Sequence, residues 1–152
     1  MKSWKAPSTI PSSPCWPNWT KASNPRRRHL RTQSTLIWSE SHAPIPVGMV
    51  LRGSRSDYRD RLPHAADAFC VIEVADSSYE RGGGEKLNGY ANAGVEQYII
   101  VNLRTRTAEV YTHPDPAGGA YLETRIIPQD QQLALRLGDD EYFSFLLINI
   151  LP

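Results

Sequence analysis

Residues 68–75, AFCVIEVA, form an unbroken apolar run rich in β-branched side chains and bounded by polar residues. Such a strand cannot have one face in water, because both faces carry apolar side chains. It must lie inside a sheet that is covered on each side. The exception within the run is Glu73. An ionised carboxylate at the centre of a buried strand is costly without a cation beside it. The run therefore calls for an arginine, a lysine or a metal ion nearby. On the residues alone, a buried salt bridge and a functional carboxylate both stay open.

The chain downstream of residue 46 supplies the rest of a sheet. VGMVL (47–51) reads as a short apolar strand and RGSRSDYRDRLPH after it as a polar loop. SSYERGGG suits a turn and a helix entry. In 85–94, Leu87, Tyr90 and Ala91 recur at i, i+3 and i+4, with Gly94 as the stop, which predicts a helix of about ten residues. EQYIIVNL (96–103) is a second buried strand. TAEVYTH and GAYLETRII are two more, joined by the turn-forming PDPAGG. QQLALRL and EYFSFLLINILP are expected to complete the sheet and end in a short helical turn. The order predicts an α/β or α+β domain, a mixed sheet with few helices.

Residues 1–46 differ in kind. They hold seven of the twelve prolines, and prolines 7, 11, 14, 17 and 25 repeatedly remove amide donors. No helical or alternating period is visible, so this stretch is expected to be irregular or disordered, with STLIWSE offering at most one short strand. The net charge of +1 conceals a split: residues 1–40 carry seven Lys/Arg and one Glu, and the remainder is acidic. RRRHLR (26–31) reads either as a nucleic-acid arm or, more simply, as a solvated charge run. The 152 residues suffice for one core. Cys15 and Cys70 form no CxxC pair, which points to a reduced, cytoplasmic setting with Cys70 a buried thiol. No run approaches the roughly 18 apolar residues of a membrane span.

Several chemistries are excluded by spacing. A phosphate-binding loop needs Gly-Lys followed by Ser or Thr, whereas Lys86 stands between Glu85 and Leu87. His29, His42, His64 and His113 are isolated, so each is expected in an exposed loop, and no zinc spacing occurs. No Gly-x-Ser-x-Gly elbow exists.

The stretch ADAFCVIEVADSS, then GEKLNGYANAGVEQYIIVNLRTRTAEVYTHP, closely resembles the Uma2 family (DUF820) of restriction-endonuclease-like proteins. The family pattern is a VIEV strand, a Ser-rich loop, a lysine, YAxAG, EYWIVNL and VEVY. The upstream LRGSRSDYRDRLP is similar to its connecting loop. The resemblance covers residues 47–152, so the chain reads as a 1–46 segment foreign to the family followed by an incomplete family domain.

The resemblance implies a PD-(D/E)xK fold, with acidic residues holding Mg²⁺ (or Mn²⁺) for hydrolysis of DNA phosphodiesters, and a homodimer as in many nucleases of this fold. It implies Glu73 as a metal-binding carboxylate, with Asp76 the nearest second acid in sequence. The same-strand lysine position of the motif is Ala75, and the family's lysine from the following helix corresponds to Lys86. Two departures accompany it. Registering on VLRGS puts the family's first metal-ligand aspartate at Val47, and an acid that often precedes the lysine falls on Gly82. Asp57, Asp60 and Asp67 are further candidate substitutes. The resemblance thus implies either a metal-dependent endonuclease or a catalytically impaired remnant that binds DNA or protein.

Overall fold

Glu73 lies in the third of six strands that form one sheet, and the sheet's two faces are covered by different parts of the chain. The computed structural model describes residues 28–76 and 84–152. The strands of the main sheet are β1 (Arg28–Thr32), β2 (Gly48–Arg52), β3 (Ala68–Ala75), β4 (Gln97–Asn102), β5 (Thr107–Asp115) and β6 (Ala120–Pro128), in that spatial order. β3 and β4 run parallel, joined across helix α1 (Gly84–Asn92), and every other neighbouring pair is antiparallel. This is a mixed α+β sheet with few helices, as its alternation of apolar runs and one helical period predicts.

β3, β4 and the first half of β5 are buried because each carries apolar side chains on both faces. Cys70, Ile72, Ile99, Val101, Ala108 and Val110 point one way. Val71, Ala75, Tyr98, Ile100 and Tyr111 point the other. Cys70 is fully buried, and burial pushes its thiol pKa up, in keeping with an inert core cysteine. The first face is covered by a separate hairpin of β7 (Gln132–Arg136) and β8 (Tyr142–Leu146), through Leu133, Leu135 and Phe145, and by Leu147 just after it. These last strands therefore do not complete the main sheet. They fold back over it, because β6 already presents an outward face while the β3–β5 face still needs apolar cover. The expected helical turn follows as a 3₁₀ turn, Leu147–Ile150.

The second face is covered by α1 and by the chain between β1 and β3. Gly94, at φ +75°, takes the left-handed conformation that ends the helix, and Val95 donates its amide to the Tyr90 carbonyl. Trp38 packs edge-on against Tyr90, with ring centroids 4.8 Å apart. Its indole lies directly over Gly89, where a Cβ would come within 2.6 Å of the ring. Gly89→Ala should therefore destabilise the protein by about 1–2 kcal/mol in urea unfolding, since displacing the indole outweighs the gain in helix propensity. A stabilised variant would show that Trp38 is loosely held.

The expectation of an irregular segment up to residue 46 fails over Arg28–Thr32, which is a strand, while residues 33–46 hold isolated bridges and no strand. Arg28–Thr32 pairs with β2, and Leu36 is fully buried beneath α1's side of the sheet. The reason is tertiary. Arg28 is buried, donating to the Leu137 carbonyl at 3.2 Å and pairing with Glu141, so distant residues stabilise a strand with no apolar period. Arg28 and Arg31 are thus parts of a strand and not of a loose arm, while Arg26, Arg27 and Cys15 lie outside the described residues. His29 is half-buried in β1 and not in a loop, its Nδ1 3.2 Å from the Gly53 carbonyl and its ring 5.3 Å from Tyr58. STLIWSE forms no strand and contributes only isolated bridges, Ile37 with His64 and Ser39 with His42.

Candidate active site

Glu73 is 7% exposed and points toward α1. The helix returns over β3 so that two of its side chains, one turn apart, reach the carboxylate. Lys86 Nζ donates to Glu73 Oε1 at 3.0 Å, and the Tyr90 hydroxyl donates to the same oxygen at 3.2 Å. Residues four apart lie on one helical face, which is why a single strand position can meet both. Oε2 receives no hydrogen bond among the described residues. Lys86 is half-exposed, so the cluster opens to solvent on its side.

Burial pushes the Glu73 pKa above the usual 4.5, while Lys86 and Tyr90 act in the opposite direction. Because the folded value lies above the unfolded one, folding favours the protonated acid. The contribution to stability is full below pH 4.5 and is lost as pH rises through the higher folded value. Lys86→Met removes the opposing charge and should raise the Glu73 pKa further, read by carboxyl carbon chemical shifts in a pH titration. An unmoved or lowered value would show that the ion pair does not hold in solution.

The remaining candidates do not join this cluster. Val47 is buried immediately before β2. The antiparallel register pairs Gly48 with Ile72 and Met49 with Val71, and continued by one residue it sets Val47 across from Glu73. Position 47, to which the resemblance assigns the first aspartate, thus carries an apolar side chain. Asp76 is exposed one residue beyond β3 and no hydrogen bond joins it to Glu73. Asp57 accepts the Ser54 amide at 2.8 Å, and Asp67 accepts the His64 amide at 2.9 Å and pairs with Arg61 at 2.7 Å, so both cap 3₁₀ turns. Asp60 is exposed in the same loop. Gly82 lies outside the described residues. Among the described residues, no three His, Cys, Asp or Glu side chains gather as a metal would require.

Two contributors were not singled out by the sequence. Tyr90 is fully buried and bonds to Glu73, and its place four residues after Lys86 was the available signal. Glu109 is a second buried carboxylate on the same face as Glu73, since Ile100 is the register partner of both. Its partner is the Tyr111 hydroxyl, and Ile100 separates it from Glu73. Alternation along TAEVYTH was enough to put Glu109 and Tyr111 on one face, but not to tell that the face is buried.

The comparisons with known proteins bear on the family and the fold. No curated protein matches the chain. A crystal structure described as a "putative nuclease belonging to DUF820 from Anabaena variabilis ATCC 29413" shares the fold. Its TM-score is 0.58 at 12% identity, over 82% of this chain and 68% of that one. The Uma2 model, described as "Putative restriction endonuclease", matches residues 15–140, so the similarity begins well before residue 47, where the sequence resemblance starts. No helix among the described residues is long and apolar enough to cross a membrane. With its family model spanning most of the chain and its sheet built on the same plan, the chain belongs to the Uma2 family.

Proposed function

We propose that this chain is a scaffold for metal-dependent hydrolysis of DNA phosphodiesters whose own activity is impaired by the valine at position 47. The observation that carries the reading is the Glu73–Lys86 pair, at 3.0 Å, with Val47 as the extrapolated neighbour of Glu73. Cleaving a phosphodiester takes a hard cation, held by several oxygen ligands, to polarise the phosphate and acidify a water. Glu73 offers one buried carboxylate, and Asp76 is the other acid proposed for the metal. The described residues do not fit Mg²⁺ or Mn²⁺ well, because no three His, Cys, Asp or Glu side chains among them gather as a cation site would require. No catalytic step is therefore derived through a metal. Lys86, at the solvent side of Glu73, is suited to a developing negative charge on a bound phosphate.

The second reading is a remnant that binds DNA or protein without cutting, and the lack of a gathered acid cluster among the described residues favours it over an active enzyme. Either way, the proposed setting is cytoplasmic and the proposed assembly a homodimer. Incubating supercoiled and linear DNA with Mg²⁺ or Mn²⁺ tests the proposal. The unmodified chain and Glu73→Ala should be equally silent, while Val47→Asp should cut. Cleavage by the unmodified chain that disappears in Glu73→Ala overturns the impairment. Silence of all three folded proteins overturns Val47 as the missing ligand.

A further inference from the structure

The two edges of the main sheet are guarded differently. β1 is five residues long, and its arginine at position 28 is tied to the β7–β8 hairpin. β6 is nine residues long, and among the described residues no strand pairs with its outer side. It also carries two exposed apolar side chains, Leu122 at 75% and Ile126 at 49%. A long edge with exposed apolar residues is a surface for strand addition.

The sequence of this edge selects the occupant. From 122 to 126 it reads Leu-Glu-Thr-Arg-Ile, with apolar residues at both ends, opposite charges inside them and Thr124 at the centre. Laid antiparallel against itself about Thr124, the strand sets Leu122 opposite the partner's Ile126 and Glu123 opposite the partner's Arg125. Alternation puts the apolar pairs on one face and the ion pairs on the other. Within one chain, Glu123 already accepts from Thr112 at 3.1 Å and lies 3.4 Å from Arg125, so both charges sit at the edge and stay exposed. A strand without this symmetric order would not match both patterns at once. A two-fold copy matches both.

We infer that β6 is the self-association surface of this protein, pairing with β6 of a second copy to continue the sheet across a two-fold axis. The inference gives the proposed homodimer its interface and rests on that reading only for the copy number. Cleavage is assayed separately, so a silent nuclease leaves the association result intact, and a monomer leaves the nuclease result intact.

Sedimentation velocity over a concentration series of the full chain tests it, with circular dichroism confirming that each variant is folded. The unmodified chain should show a monomer–dimer equilibrium. Glu123→Arg and Arg125→Glu each turn two attractive cross-strand pairs into two repulsive ones, so each alone should weaken association about tenfold or more. Mixed together, the two variants face Arg with Glu at all four positions and should form a heterodimer as tight as the original. Ile126→Lys should weaken association and should not be rescued by either. A monomer at every concentration, or a dimer unchanged in all three variants, overturns the assignment. So does a mixture that fails to recover.

Discussion

Val47→Asp should convert a chain that does not cut DNA into one that does, raising metal-dependent cleavage by about a hundredfold or more. The reason is local to two adjacent strands. Position 47 precedes β2, and the β2–β3 register continued by one residue sets it across from Glu73. A carboxylate there would give a cation two oxygen donors from neighbouring strands, with Lys86 at the open side. The same change carries a distinctive cost. Val47 is 7% exposed, so an aspartate would be buried next to another carboxylate, and the metal-free variant should lose about 1–3 kcal/mol of stability. Adding Mg²⁺, Mn²⁺ or Ca²⁺ should restore its Tm, since an ion bound only by the folded state stabilises by mass action. The unmodified chain should show a much smaller metal-dependent shift. A variant that is destabilised but neither rescued by metal nor active would show that position 47 faces away from the cluster.

The second large effect concerns the packing that holds α1 over the site. Tyr98, in β4, is 1% exposed. Its ring lies 4.8 Å from Tyr90, 6.0 Å from Tyr111 and 6.4 Å from Tyr121. Tyr98→Ala opens a cavity at the centre of this aromatic layer and should cost about 3–5 kcal/mol in urea unfolding. That is a large share of the roughly 5–15 kcal/mol expected for a domain of this kind. Because Tyr90 both touches Tyr98 and donates to Glu73, the variant should also disturb the Glu73 titration. A loss below about 1 kcal/mol would mean that the layer is not closely packed.

Some of this was legible in the chain. AFCVIEVA announced a strand buried on both faces, and EQYIIVNL another, because a continuous apolar run leaves no face for water. Gly94 announced the end of α1, since its left-handed backbone is one that glycine adopts without strain. Glu73 was conspicuous for the opposite reason, a charge in an apolar strand, and pairing it with Lys86 followed from strand–loop–helix order.

β1 was not legible, because what stabilises it is Leu137 and Glu141, over a hundred residues away. Nor was the hairpin role of β7 and β8, since alternation gives a strand its faces but not the sheet it joins. Asp57 and Asp67 looked available as ligands and are instead committed to turn amides, a use that depends on local backbone geometry.

By itself, then, the sequence determined the strands from β2 onward, the helix and the acid in an apolar run, because hydrophobic periodicity and turn chemistry act over a few residues. Only the tertiary structure decided which residues stand beside Glu73. That depends on strand register and helix placement: the β2–β3 register, continued by one residue, sets Val47 across from Glu73, while α1 brings Lys86 and Tyr90.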